Sequence, residues 1–232
     1  MDIGGRVGGR YGRGVRYFAY GSNLWPAQLS SRCPSARALG VARLDGWRLA
    51  YRKPSSDGSA KLDAQPDPGS AAWGVVYEVA DAERPDLDKA EPGYRRLGVD
   101  VDLDGRPVAA VTYSWPGDPA LVRPYDWYVA TAVAGARHHG LPDHHVTSVL
   151  EAVADPDPLA AGLSPLAGHP DFPDHTGTLW QRDGTVLWVH ELAGDLDVSP
   201  RMSPDAPALL RWGRRRLRLA GSPARYEPGE HP

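Results

Sequence analysis

The chain has 232 residues, 41% of them hydrophobic, with eight Trp and ten Tyr to build a core. Its length suits one domain with an appended segment, and its formal net charge of −3 argues against nucleic acid as a partner. No apolar run reaches the about 18 residues that span a bilayer, and the single cysteine, Cys33, excludes an intramolecular disulfide and is typical of a cytoplasmic protein.

The first elements are predicted from composition and turn signals. Residues 1–14 are rich in Gly and Arg and predict a disordered leader. A β-rich run at 15–20 follows and ends in the turn formers Gly-Ser-Asn at 21–23. Residues 24–29 then predict a short helix, with Pro26 tolerated in its first turn.

Strands are predicted in the middle of the chain. Residues 40–52 alternate loosely, and the apolar run 73–79 is short enough for a buried strand. Residues 96–103 alternate strictly and, with 107–115, predict a hairpin that turns at Asp104-Gly105.

Two helices are predicted after the strands. Residues 125–139 carry apolar side chains at helical spacing, and Gly140 stands where a left-handed C-cap belongs. A second helix opens at Pro142, with an apolar stripe that extends to Val153. Strands followed by helices predict an α+β fold with a mixed or mostly antiparallel sheet, which we assign to residues 15–155.

The remaining residues, 156–232, are dense in Pro and Gly and predict an appended extension. Residues 180–192 are typical of one hairpin around Asp183-Gly184. The basic stretch within 207–220 predicts either a solvated amphipathic helix, the interpretation we favour, or a patch for an anionic partner.

The loop after the first strand is the strongest local signal of function. Glycine lets the backbone approach a ligand closely, and consecutive N–H groups at a helix start form a nest for an anion. Such a nest holds a carboxylate or the oxyanion of an attacked amide, although an ordinary strand-to-helix turn has the same sequence.

Several stretches together resemble the γ-glutamyl cyclotransferases and their AIG2-like relatives. The run YFAYGSNL at 17–24 resembles the family signature, and four further stretches are similar in the same order. They are VARL at 41–44, the stretch from Gly58 that ends in AWGVVY, LDKAEPGY at 87–94 and RPYDWYVATAVAGARHHGLP at 123–142. The resemblance covers about residues 16–155, and it implies a mixed β-barrel or sheet with flanking helices and a C-terminal extension.

The resemblance implies that Glu91 is the catalytic acid and base. Pro92 should stop a short helical turn at Glu91, and the carbonyls at a helix end are expected to raise the pKa of a carboxylate there. Relatives commonly carry Gly directly after this Glu, whereas this chain has Pro92 and then Gly93. That departure bears on where the Glu91 side chain points.

Further residues are carried over from the family as contacts with the substrate. They are Tyr17, Tyr20, Gly21, Ser22, Asn23 and Tyr125. Tyr125 is equally well interpreted as a core aromatic on the buried face of its helix.

Other chemistries are weaker hypotheses. The two His pairs at 138–139 and 144–145 suggest a metal, but adjacent helical residues point about 100° apart, so neither pair chelates alone and no metal is expected. Cys33 has no local base to activate it as a nucleophile. Motifs for nucleotides and metalloproteases are absent from the sequence, and no cofactor is expected.

The resemblance implies cyclisation of a small γ-glutamyl substrate to 5-oxoproline with release of an amine. One alternative is the branch of the family that removes a γ-glutamyl protecting group from aminoglycoside intermediates. The abundance of Arg, Ala, Gly and Pro favours a bacterial source, which is compatible with that branch. A second alternative is a non-catalytic AIG2-like binding module, and a third makes residues 156–232 a partner-binding segment. Neither the leaving amine nor the oligomeric state follows from the sequence.

Overall fold

The structure is a computed structural model, and it describes most of the chain up to residue 197. The described residues are 14–158, 161–166, 178–182, 185–190 and 196–197. The predicted leader up to residue 13, the turn at 183–184 and the basic stretch at 207–220 lie outside them.

Five strands close a barrel in the order β1-β3-β2-β4-β5. All neighbours are antiparallel except β1 and β5, which pair in parallel at Tyr17 and Val111. This architecture confirms the predicted α+β class and the mixed barrel that the resemblance implied. The strands are β1 Gly14–Ala19, β2 Arg37–Pro54, β3 Ala60–Ala80, β4 Arg95–Leu103 and β5 Arg106–Ser114.

The β2–β3 hairpin is far longer than the sequence predicted. Its strands have 18 and 21 residues, and they pair from Arg37–Glu78 to Pro54–Ala60 through three register shifts. The prediction stopped short because Pro66, Pro68 and Gly69 look like strand breaks. Pro66 pairs with Trp47, whereas residues 67–70 have no partner in the ladder at the register shift between Asp45 and Trp47, and pairing resumes at Ala71.

The β4–β5 hairpin confirms its prediction. Asp104 and Gly105 both have positive φ, at 54° and 76°, as a two-residue type I′ turn requires. Gly105 N–H also donates a hydrogen bond of 2.7 Å to the Asp102 carboxylate, which fixes the turn.

Short helices flank the barrel. They are a 3-10 turn at Ser22–Leu24, α1 Pro26–Ser30, a 3-10 turn at Asp81–Glu83, α2 Arg84–Ala90, α3 Asp126–His139 and α4 Asp143–His145, which continues as a π-helical turn at Val146–Leu150. The longest is α3, and no helix among the described residues is both long and apolar enough to cross a membrane.

The two predictions for the last helices have different outcomes. Gly140 caps α3 with a φ of 71°, as the sequence predicted. The prediction that the second stripe reaches Val153 is wrong, because the helix ends at Leu150 and Val153 is 72% exposed. The wide π-helical turn ends the α-helical spacing on which that prediction relied.

A second, four-stranded sheet follows the barrel domain in the chain. Its strands are β6 Ser164–Leu166, β7 Thr178–Arg182, β8 Thr185–His190 and β9 Leu196–Asp197. The β7–β8 pair confirms the predicted hairpin.

The second sheet shares the core of the barrel domain. Leu163 and Trp180 are each 1% exposed and belong to the same buried cluster as the barrel interior. The Trp180 ring meets the Trp127 ring of α3 edge to face at 6.3 Å, and Trp127 Nε1 donates a hydrogen bond of 2.9 Å to Asp157 Oδ2. The described residues of the extension that make these contacts therefore pack into the core of the barrel domain.

Truncating Trp180 to Ala is expected to lower the free energy of unfolding by about 3–5 kcal/mol, because it leaves a cavity in a shared core. The matched control is Leu121→Ala, since Leu121 is 99% exposed and its loss should change stability by less than about 0.5 kcal/mol. Chemical denaturation of both variants measures the difference. Equal stability of the two variants would contradict a shared core.

Candidate active site

The backbone around Glu91 is a turn that accommodates Pro92. Glu91 is the C-cap of α2, with its N–H donating to Asp88 O at 3.2 Å. Tyr94 N–H then donates to Glu91 O at 3.2 Å, and Gly93 has a φ of 83°. Proline at the second position and a positive-φ glycine at the third are the features of a type II turn. Pro92 thus fits the turn that holds Glu91 at the end of the helix.

The predicted substrate loop lies between β1 and α1. Its 3-10 turn begins with Leu24 N–H donating to Gly21 O at 2.9 Å, followed by Trp25 N–H to Ser22 O at 3.1 Å. The N–H groups of Ser22 and Asn23 precede the first of these bonds, so the turn itself provides them with no acceptor. Consecutive N–H groups without an acceptor in the turn are what the predicted anion nest requires.

The structure brings this loop and Glu91 together, although 68 residues separate Asn23 from Glu91. Asn23 Nδ2 donates to Glu91 Oε1 at 2.7 Å and to the Tyr17 hydroxyl at 3.0 Å. The Tyr17 hydroxyl also lies 3.5 Å from Glu91 Oε1. At the other end of the Asn23 amide, Arg32 Nη1 donates to Oδ1 at 2.6 Å. Because a donor stands at one end and acceptors at the other, the orientation of this buried amide is fixed.

Burial of Glu91 raises the pKa of its carboxyl above the ordinary value. Arg32, Lys53 and the hydrogen bond from Tyr17 each lower it again, but the loss of water dominates. The direction agrees with the prediction, whereas its main cause is burial rather than the carbonyls of the helix end. A carboxylate with a raised pKa is better matched to accepting and returning a proton near neutral pH.

Three further tyrosines surround Glu91 with neutral hydroxyls. Tyr20 donates to Tyr113 O, Tyr94 donates to Leu62 O at 2.6 Å, and the Tyr128 hydroxyl accepts from Leu62 N–H at 3.3 Å. Burial and the charge of the nearby carboxylate raise the pKa of all three phenols. Phenols whose pKa is raised stay neutral near pH 7, so their hydroxyls serve as dipoles rather than as acids.

Tyr125 and Tyr128 are placed differently. The Tyr125 hydroxyl donates to Asp57 O at 3.2 Å. The Tyr128 hydroxyl lies against the substrate loop, where a Cβ on Gly21 would be 3.2 Å from it. The resemblance named Tyr125 as a substrate contact, which stays a prediction, and it did not name Tyr128, which α3 buries beside the loop.

Two basic residues were also missed. Arg32 holds the Asn23 amide, and Lys53 is only 7% exposed although it is a lysine. Long basic side chains in a sequence are usually interpreted as solvated, so neither position carries a signal that marks it as buried.

The alternative chemistries find no support in the described residues. No group of three His, Cys, Asp or Glu there is arranged to hold a metal ion. His139 Nε2 lies 2.7 Å from the Tyr77 hydroxyl. Cys33 is fully buried, and burial raises the pKa of its thiol to about 12, which disfavours the reactive thiolate.

Comparison with known proteins relates this chain to a family. Residues 17–129 match the family described as gamma-glutamyl cyclotransferase, AIG2-like. The bovine γ-glutamylcyclotransferase is 29% identical over 141 residues, which cover 56% of this chain and 74% of the bovine protein. A solved γ-glutamyl cyclotransferase superposes with a TM-score of 0.57 at 25% identity, covering 67% of this chain and 92% of its own. An uncharacterised human protein gives a TM-score of 0.57 at 28% identity, covering 63% of this chain and 90% of its own.

Proposed function

Since residues 17–129 belong to the γ-glutamyl cyclotransferase, AIG2-like family, we propose that the protein cyclises a γ-glutamyl amide to 5-oxoproline and releases a free amine. The observation that carries the proposal is the contact of 2.7 Å between Glu91 Oε1 and the Asn23 side chain. It joins Glu91, the carboxylate with a raised pKa among the described residues, to the loop that carries the N–H groups of Ser22 and Asn23.

The proposed reaction is intramolecular, and Glu91 carries its proton. The Glu91 carboxylate takes a proton from the substrate α-ammonium, and the freed amine attacks the γ-carbonyl carbon to close a five-membered ring. The N–H groups of Ser22 and Asn23 stabilise the oxyanion that forms. As the oxyanion collapses, the bond from the γ-carbon to the leaving nitrogen breaks, and Glu91 gives its proton to that nitrogen. The regenerated carboxylate then takes the second proton of the positively charged ring nitrogen, which leaves the neutral lactam, and passes this proton to the released amine, which departs as an ammonium ion.

The reaction requires the protein to orient the substrate and to provide a base whose pKa suits the working pH. Well-oriented intramolecular attack reaches effective molarities of roughly 10⁵–10⁸ M. General acid–base catalysis then adds about 10²–10⁴-fold. The buried tyrosines hold the substrate away from water, so that attack by the α-amine replaces hydrolysis.

Incubation with a panel of γ-glutamyl amino acids, peptides and amines tests the proposal. Mass spectrometry should detect 5-oxoproline and the free amine in equal amounts from at least one substrate class. Binding of these compounds in calorimetry without any 5-oxoproline would instead favour the non-catalytic module and would overturn the proposal.

The raised pKa of Glu91 predicts the acid limb of the pH profile. Because the carboxylate form is the base in the free enzyme, kcat/KM should fall as the pH drops through a value above the ordinary 4.5. Arg32→Gln removes a cation that lowers this pKa, so the acid limb should move to higher pH. The control is Arg37→Gln, which breaks an exposed pair with Glu78 and should leave the limb in place. If kcat/KM of Arg32→Gln falls at the same pH as in wild type, the assignment of Glu91 as the base is contradicted.

A further inference from the structure

Lys53 lies beside the turn that carries Glu91. It stands near the end of β2, and its Nζ is 5.1 Å from the ring centroid of Tyr94 and 5.9 Å from that of Trp115. Its Cε would be 3.8 Å from a Cβ on Gly93, two residues after Glu91. The side chain is 7% exposed, so its ammonium sits among aromatic rings at the edge of the site.

The Lys53 ammonium has no anionic partner in contact among the described residues. Glu91 and Asp57 are close enough to raise its pKa, but it forms no hydrogen bond or ion pair with either. Lys61, its direct partner across the β2–β3 pair, is different: its Nζ binds Asp57 Oδ2 at 2.7 Å and Ser59 Oγ at 2.8 Å. The hairpin therefore provides an acid for Lys61 and leaves Lys53 without one.

A buried ammonium without a counterion is costly. The rings of Tyr94 and Trp115 offset part of that cost through cation–π contact, and burial lowers the pKa of the ammonium. An anion that enters the site would gain a charge-assisted hydrogen bond which no protein group supplies now. The arrangement is that of a binding group for an anionic ligand.

We propose that Lys53 binds a carboxylate of the substrate, an inference that rests on the proposed function. A γ-glutamyl substrate presents an α-ammonium to Glu91 and an α-carboxylate on the same carbon. A γ-glutamyl amino acid carries a second carboxylate on its leaving amine. Lys53 lies beside the 91–94 turn that begins at Glu91, and the two side chains have opposite charges, as the recognition of such a zwitterion requires.

Two substrates that differ by one carboxylate test the inference. These are γ-glutamyl-alanine and γ-glutamyl-ethylamide, whose leaving amines differ only in that group. Lys53→Met should raise KM at least about tenfold with a smaller change in kcat, and Lys53→Arg should recover part of the loss. Lys89→Met, the same change at an exposed lysine of α2, is the matched control and should leave both constants unchanged.

The pattern across the two substrates identifies which carboxylate binds. An equal rise in KM for both assigns the α-carboxylate, and a rise confined to γ-glutamyl-alanine assigns the carboxylate of the leaving amine. A KM within twofold of wild type for both substrates would overturn the inference while leaving the proposed function intact.

Stability and binding measurements cover two further cases: a variant that does not fold and a wild type that shows no turnover. Lys53→Met should unfold at or above the wild-type temperature, because it removes a buried charge without a counterion. If Lys53→Met does not fold, the kinetic comparison is made with Lys53→Gln. If the wild type forms no 5-oxoproline, the proposed function fails, and calorimetric titration with γ-glutamyl-alanine decides the inference alone. Equal affinity of the wild type and the Lys53 variant for γ-glutamyl-alanine would then overturn the inference.

Discussion

Glu91→Gln is expected to lower kcat for 5-oxoproline release by about 10²–10⁴-fold, the range typical of a lost general acid and base. The amide has the shape of the carboxylate, and its oxygen can still accept the hydrogen bond from Asn23. It cannot take the proton from the substrate α-ammonium, so KM should change much less than kcat. Steady-state kinetics on the best γ-glutamyl substrate measures both constants.

The stability of Glu91→Gln distinguishes a loss of catalytic chemistry from a loss of folded protein. Because the folded protein raises the pKa of Glu91, the ionised carboxylate is less favourable in the folded state than in the unfolded state. Glu91→Gln should therefore be at least as stable as wild type at pH 7. Any advantage should vanish below the unfolded pKa, where the carboxyl is protonated in both states. Glu78→Gln, at an exposed ion pair, is the control for both measurements. A kcat within tenfold of wild type for Glu91→Gln would refute its role.

Gly135→Ala is expected to lower the free energy of unfolding by about 3 kcal/mol, because overpacking against backbone cannot be relieved by a side-chain rotation. Gly135 lies on α3 where the helix crosses the substrate loop. A Cβ there would collide with the backbone carbon of Leu24 and would be 2.5 Å from Trp25 N. Either the helix or the loop must move.

Movement of the loop should also reduce catalysis. The Leu24 backbone follows Asn23 directly, and a displacement of about 1 Å at a reacting group costs on the order of 10²-fold in rate. We therefore expect kcat/KM of Gly135→Ala to fall by about 10–100-fold at temperatures where it stays folded.

The matched control for Gly135→Ala is Gly98→Ala. Gly98 is on β4 with no atom within 4 Å of a Cβ built there and without a positive φ. The same methyl group should change stability there by less than about 1 kcal/mol and leave turnover unchanged. Chemical denaturation and 5-oxoproline assays on both variants make the comparison. If the two variants lose the same stability, α3 does not position the loop through this contact.

Local signals allowed much of the fold to be predicted. The Asp104-Gly105 turn and the Gly140 cap depend on backbone conformations that few residues adopt, so the sequence indicates them directly. The helix end at Glu91 was predicted from Pro92, which disfavours helix at the residue before it. The type II turn that follows was not predicted, although Pro92 and a glycine able to adopt positive φ at Gly93 fit it.

Contacts between distant residues could not be predicted from the sequence. The partners of Asn23 include Arg32, nine residues away, and Glu91, 68 residues away, and no periodicity links them. In the sequence Lys53 has the features of an ordinary surface lysine, and only the folded barrel brings it beside Tyr94. Trp180 likewise joins the core only when the second sheet reaches α3. These residues depend on tertiary closure rather than on local preference.

A crystal structure of the Glu91→Gln variant with γ-glutamyl-alanine tests the central claim most directly. We expect the α-amine within hydrogen-bond distance of the side chain at position 91, and the γ-carbonyl oxygen about 3 Å from the N–H groups of Ser22 and Asn23. A ligand bound elsewhere, or one whose γ-carbonyl points away from the loop, would contradict it.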